Sequence, residues 1–250
     1  MKTESIYPPK LGLREQNKLE KRERIRGTAR DLFSRHGFDS ATLRQIAHAA
    51  RVGLGTLFNY AQDKRDLVFL IFNEELNQVT NQALSAPNPA EPLIDQLMAI
   101  SKPHYNYYGK DPALSRILLK ELVFYSEGKQ AATFQKIREH LLTGIEKLVR
   151  EAQRNQFIRS EASAKIIARH FFFVFSAAIR WWIADPSADP EVGLADLRRL
   201  LELQIEGLQP RARTPGRPVK APAEQRTGRA ARKVSSAAKR RSGLTRQARK

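Results

Sequence analysis

The stretch from Thr42 to Tyr60, TLRQIAHAARVGLGTLFNY, constrains this chain more than any other. Thr42 followed three residues later by Gln45 forms a capping box. The hydroxyl can cap an orphan N–H of the first turn while the amide reaches back to Thr42. Leu43, Ile46, Ala47 and Ala50 then fall at helical spacing on one face. Arg51-Val52-Gly53 makes the break, with Val52 as the apolar plug, and Leu54 to Tyr60 is a second short helix whose Leu57 continues the buried side. Two short helices meeting at a tight glycine-containing turn form a helix-turn-helix, the unit that sets its second helix in a DNA major groove. The same spacing is open to an ordinary αα-corner, so the neighbourhood has to decide.

From Phe38 to Leu67 the chain resembles the DNA-binding domain of the tetracycline-repressor (TetR) family. The resemblance rests on His36-Gly37-Phe38, Ala41-Thr42, Ile46-Ala47, Ala50, Val52, Gly55-Thr56-Leu57-Phe58, Tyr60, Lys64 and Leu67, which agree in order and spacing without a gap. Three positions depart from the usual pattern. Leu54 stands where a polar residue is common, Phe58 where Tyr is common and Ala61 where Phe is common. The first two lie among the DNA contacts. The resemblance implies an all-α homodimeric repressor with a small-molecule cavity in its C-terminal helices. Ligand binding there would tilt helix four and change the separation of the two recognition helices. DNA holds its half-sites at a fixed spacing, so the palindromic operator would be released.

Residue chemistry gives each DNA-facing position a role and a plainer alternative. Thr42 sits at a helix N-terminus, where hydroxyl and free N–H groups bind phosphate, or it only caps. Arg44 can reach guanine O6 and N7, or it solvates its helix. Gly53 and Gly55 permit close backbone approach. Thr56 and Asn59 can hydrogen-bond, and Leu54 can meet a thymine methyl. Phe58 belongs to the same surface, and Tyr60 and Lys64 match the family positions that grip phosphate.

The formal net charge of +18 points to a polyanionic partner, and its distribution is uneven. Arg211 to Lys250 holds 14 Lys and Arg against the single acid Glu224, a net +13, which leaves +5 for the other 210 residues. Low in complexity and poor in apolar residues, this stretch is expected to be a disordered basic tail. Its Gly216-Arg217-Pro218 is a weak echo of a minor-groove AT-hook. The expected domains are a mobile arm over 1–13, a helix-turn-helix domain over 14–62, a helical ligand-binding and dimerisation domain over 63–210, and the tail over 211–250.

Helix one should run from about Arg14 to His36, with Leu19, Ile25, Ala29, Leu32 and Phe33 as its apolar stripe. The opposite face carries Lys18, Lys21, Arg22, Arg24 and Arg26, placed for phosphate contact from the first turns or simply solvated. Gly37 is the stop. Asp63 caps helix four, and Pro87, Pro89 and Pro92 mark a joint near its end. Helical segments then follow near 91–108, 112–126, 129–156, 161–184 and 190–208, with no strand-type alternation.

The last two helices are apolar on more sides than one chain should cover. A dimeric four-helix interface is the economical reading, built from Phe171, Val174, Phe175 and Trp182 with Leu194, Leu197, Leu201 and Leu208. A tightly packed monomer is the alternative. His104, Tyr105, Tyr108, Phe124, Tyr125 and Phe172 are candidates to line the cavity, although at helical spacing such aromatics also read as core.

An enzyme has little to stand on here. Gly53-Leu54-Gly55 is only a G-x-G, because Phe58 occupies the third glycine position of a dinucleotide loop. The five histidines are scattered, there is no cysteine, and neither metal nor cofactor is expected. No uninterrupted apolar run approaches the roughly 18 residues of a membrane span. The expected location is the cytoplasm, on the nucleoid. The rival to a repressor is an architectural protein that coats DNA with the same domain and tail, without an inducer.

Overall fold

The computed structural model describes residues 12–208, and among these every regular element is helical. The expected arm and basic tail lie outside the described residues, apart from the last two positions of the arm. The elements are α1 (Leu13–Ser40), α2 (Leu43–Ala49), α3 (Leu54–Phe58), α4 (Lys64–Ser85), α5 (Leu93–Gly109), α6 (Pro112–Glu121) running into a 3-10 turn (Leu122–Phe124), α7 (Ala131–Arg154), α8 (Ala164–Ala184) and α9 (Pro190–Gly207).

Local chemistry sets most boundaries. Gly37 interrupts α1 at φ 76° and ψ 165°, a region essentially closed to residues with a Cβ. Phe38 then folds back to within 5.4 Å of Phe33, ring to ring. Asp63 accepts the Asp66 N–H at 2.7 Å to start α4. Asp111 and Asp189 do the same for α6 and α9, each followed by a proline at a position where no N–H is needed.

Helix α4 is the shared spine. Every residue from Asp66 to Asn73 is buried, because α1 packs on one side of the helix and α5, α6 and α7 on the others. The first three helices and the start of α4 form the head, and α5 to α9 with the rest of α4 form the body. Ion pairs reinforce the α1–α4 seam: Arg30 reaches Glu75 at 2.5 Å and Arg26 reaches Glu74 at 3.4 Å, while Arg26 also pairs with Glu23 of its own helix at 2.6 Å. Arg22 also approaches Glu74, at 3.9 Å. Part of the basic face expected to meet phosphate is therefore already paired within the chain. Leu19, assigned to the apolar stripe, is 42% exposed.

The last two helices correct the expected dimer seam. Phe171, Phe175, Trp182, Leu194, Leu197 and Leu201 are buried inside the single chain, and Val174 and Leu208 are half-buried against the same core. They pack against α5 and α7 and against each other. Trp182 shows why this face is internal. Its Nε1–H donates to the Asp189 carbonyl at 2.8 Å, its ring lies 4.7 Å from that of Tyr105, and a Cβ on Gly193 would fall 2.5 Å from the indole. The apolar residues left in solvent are on the other face: Ile166, Phe173 and Trp181 on α8, and Val192, Leu200 and Leu203 on α9. By length and composition α8 is also long and apolar enough to cross a membrane, although its apolar run is broken by Lys165, Arg169 and Arg180. One side of it is committed to the bundle core.

Candidate functional site

The capping box at the start of α2 is complete. The Gln45 N–H donates to Thr42 Oγ1 at 3.2 Å, and the Thr42 N–H donates to Gln45 Oε1 at 2.8 Å. This holds the N-terminal turn open to solvent, with Arg44 exposed beside it. The break between α2 and α3 falls at the expected residues 51–53. Arg51 takes the positive φ, 53°, while Gly53 is the extended N-cap of α3 at φ −65°. No atom lies within 4 Å of a Cβ built on Gly55, and only Thr56 Oγ1, at 3.9 Å, near one on Gly53. Neither glycine is required by internal packing, which leaves a bare backbone surface. Thr42, Arg44, Leu54, Phe58 and Lys64 line one shallow depression, with Thr56 and Asn59 on the same short helix α3 and its C-cap. Ala61 is fully buried, so its departure from the family pattern is absorbed by packing.

Tyr60 and Lys64 hold the head together. The Tyr60 hydroxyl donates to the Lys18 carbonyl at 3.1 Å. Lys64 Nζ donates to the carbonyls of Phe38 and Asp39 at 2.8 and 3.0 Å and sits 4.8 Å from the centre of the Phe38 ring. Those carbonyls belong to the end of α1, where no further turn of helix would satisfy them. Any phosphate contact by either residue must share or replace these bonds.

Where the head meets the body, the fully buried Asp66 carboxylate collects four donors. They are the backbone N–H groups of Gln62, Lys129 and Gln130, each at 2.9 Å, and the Tyr125 hydroxyl. Gln130 also donates through Nε2 to the Tyr60 carbonyl at 3.0 Å. Arg65 bonds the Glu121 carbonyl and lies over the Tyr125 ring. Gly128 has φ 131°, and a Cβ there would come within 2.8 Å of Asp66 Oδ1. The backbone must be bare for the chain to wrap the carboxylate.

The body holds a cavity of about 280 Å³ between α4, α5, α6, α7 and α8, with walls from Leu76, Leu119, Phe134, Ile137, Phe172 and Ile179. Of the expected pocket residues, His104, Tyr108 and Phe172 line it. Tyr105 does not: it is core beneath Trp182. Tyr125 is taken up by Asp66 and a stack on Phe69, and Phe124 is 83% exposed. His104 Nδ1 lies 3.0 Å from the Ile100 carbonyl, which can only accept, so Nδ1 carries the proton and Nε2 is free to accept from Thr80 at 3.5 Å. Burial lowers the pKa of His104 to about 4, only partly offset by that carbonyl bond. The ring is therefore neutral near pH 7. Sequence reasoning missed Thr80, Ser176, Arg138 and Arg180, which also line the cavity. They come from three helices and share no local pattern.

Comparison with known proteins addresses the head directly. The family described as "Bacterial regulatory proteins, tetR family" matches residues 25–71. The HTH-type transcriptional regulator SAB2452 of Staphylococcus aureus (strain bovine RF122 / ET3-1) is 34% identical over 64 residues, 26% of this chain and 35% of that protein. The head of this chain, residues 25–71, is similar to that of TetR-family regulators. Its match to that curated relative spans about a third of the relative's length. Solved structures extend the likeness to the TetR-like body, as a likeness of fold. Thermus thermophilus FadR, a TetR-family repressor in complex with lauroyl-CoA, is 22% identical with a TM-score of 0.59, covering 78% of this chain and 99% of that one. Bacillus subtilis FadR in complex with stearoyl-CoA is 18% identical with the same TM-score, covering 75% and 99%. The TetR-family proteins it resembles are regulators rather than enzymes.

Proposed function

We propose that this protein is a ligand-responsive transcriptional regulator of the TetR family, a repressor that binds a palindromic operator as a homodimer and is released by a small lipophilic molecule. The observation that carries the reading is the spine α4, which begins beneath the DNA-facing depression and contributes Leu76 and Thr80 to the cavity. A molecule that fills the cavity pushes on the element that orients the head. Base contact falls to Arg44, Thr56 and Asn59, apolar contact to Leu54 and Phe58, and close backbone approach to Gly53 and Gly55. Thr42 offers a phosphate site, supported by Tyr60 and Lys64.

The homodimer is assigned to the exposed faces of α8 and α9. Phe173, Trp181, Leu200 and Leu203 leave an apolar surface there that a monomer would expose to water. Two such faces pack as four helices about a two-fold axis. Acyl-CoA, the ligand of two fold neighbours, supports a lipophilic effector with a long apolar tail. The protein would act in the cytoplasm, on the nucleoid.

The net +13 of residues 211–250 favours a second reading, an architectural protein that coats DNA. Specificity separates the two. DNA retained from a genomic pool by the full-length protein should converge on a palindrome held about a thousandfold or more tighter than bulk DNA. Recovery of sequences without a common site would replace the repressor with the coating protein.

A further inference from the structure

The cavity has a cationic side chain without an acidic partner among the described residues that line it. Arg180 on α8 lines it, and its Nη1 donates to the Ser176 carbonyl one turn back at 2.8 Å. Its Nε is buried and has no hydrogen-bond partner among the described residues. A buried donor on a charged group is costly to leave unpaired. Among the described residues that line the cavity none is acidic, so the chain supplies no counter-charge there. Tyr108 lines the same cavity, close enough for its phenol and the Arg180 guanidinium to perturb one another. Burial nevertheless holds the phenol in its protonated, donating form.

We propose that Arg180 and Tyr108 bind the carboxylate of an amphipathic acid whose apolar tail fills the rest of the cavity. The proposal rests on the reading of this cavity as the effector site and names the chemistry of the effector. A planar guanidinium matches a carboxylate's two oxygens, and a phenol O–H adds a third donor. Two other polar lining residues, His104 and Thr80, do not compete for the charge, and Arg138, which also lines the cavity, is exposed to solvent. His104 is neutral, and its Nε2 and the Thr80 hydroxyl satisfy each other. The aliphatic and aromatic walls take hydrocarbon. The cavity, about 280 Å³ and partly open to solvent, has room for more than a single small solute. The apolar walls and this volume suit a medium-length acyl chain.

Calorimetric titration of the full-length protein with decanoate, decanol and decanoyl-CoA tests this. Decanoate should bind at least about tenfold tighter than decanol, the ratio expected of hydrogen bonds to a charged group. Arg180→Met should remove that ratio while still binding decanol, which shows that the cavity has kept its shape. Tyr108→Phe should weaken decanoate by a smaller factor. Equal affinity for decanoate and decanol, or an undiminished ratio in Arg180→Met, would overturn the carboxylate site and leave the lipophilic cavity standing. Binding of decanoyl-CoA without decanoate would also overturn it, since the acid group would then be a thioester and the charge would lie outside. If none of the three binds, the carboxylate site and the lipophilic effector reading fail together.

Discussion

The Tyr125 hydroxyl donates to the buried carboxylate of Asp66, joining the segment after α6 to the first turn of α4. The Tyr125 ring also stacks on Phe69 with centroids 3.5 Å apart and planes within 3°. Leu122 and Val123, three and two residues before Tyr125, line the cavity. Displacing that 3-10 turn therefore pulls on the residue that anchors the base of α4. This gives the cavity a mechanical route to the DNA-facing head, through one bond between residues 59 apart in sequence.

Tyr125→Phe keeps the ring stack and removes only that bond. It should cost about 1.5–3 kcal/mol of stability, the range for a hydrogen bond to a charged partner. Asp66→Ala should cost more, about 3–5 kcal/mol, because three backbone N–H groups and a phenol lose their acceptor together. Urea denaturation measures both. In Tyr125→Phe the effector should change operator affinity less than in the parent, with each ligand still binding alone. An unchanged effector response would place the route elsewhere, for instance along Thr80 in α4.

Arg44 is exposed and forms no ion pair among the described residues, so it is available to a base edge. Arg44→Ala should cost roughly 1–3 kcal/mol on the operator and almost nothing on unrelated DNA. Lys64→Ala should behave differently. Its Nζ secures two carbonyls of α1, so the variant should lower the thermal midpoint of the free protein as well as weaken all DNA about equally. Competition assays with operator and random DNA distinguish the two. If Arg44→Ala left the specificity ratio intact, α2 would be turned away from the groove.

The local features were legible because their causes are local. The Thr42–Gln45 box, the Asp63 cap, the Asp189-Pro190 start and the Gly37 break all appear where the sequence places them. The face of α8 that turns inward was not legible. A helix with Phe at 171, 172, 173 and 175 has apolar residues on both faces, and only the position of α7 and α9 decides that Phe171 is core and Phe173 is surface. Asp66 was hidden for another reason. An acid in the first turn already has a sufficient explanation in the helix dipole, so nothing local announces donors from Lys129 and Gln130. The break at 51–53 was legible as a break, but nothing local announced that Arg51 would take its left-handed conformation.

Burial also changes what a dimer test should mutate. Trp181 is 84% exposed and Phe173 58%. Trp181→Asp with Phe173→Glu should leave a folded chain that light scattering reports as a monomer, with operator affinity lost because one half-site offers few contacts. Leu197→Asp, by contrast, should unfold the body, since it places a charge at a fully buried site. A dimer that persists in the double variant would move the interface away from these faces.

His104 makes stability fall in acid. Its folded pKa of about 4 lies below the ordinary 6.5, so between these values the unfolded chain binds more protons and stability rises with pH. The contribution is fully present above about pH 6.5 and is lost as pH falls toward 4. Its full size is about 3 kcal/mol. Comparing urea denaturation of the parent and His104→Gln across pH 4 to 7 isolates it. The parent should lose this extra stability on acidification and the variant should not. Parallel curves would mean that water reaches the ring.

Arg211 to Lys250 offers fourteen cationic side chains, and their effect on DNA binding is readable from salt dependence alone. Each phosphate neutralised on duplex DNA adds about 0.9 to the log–log slope of affinity against salt. If six of the fourteen engage at once, deleting residues 211–250 should flatten that slope by about 5. The preference for the palindrome should survive, because discrimination comes from base contacts and phosphate contacts are sequence-blind. The dimer should survive as well, since the exposed apolar faces of α8 and α9 remain. The full-length protein would then hold non-specific DNA more tightly and search it for the operator at higher local concentration. Titrations of both forms over a range of salt decide this. Equal slopes would mean that the tail does not engage DNA, and its cations would need a different acidic partner.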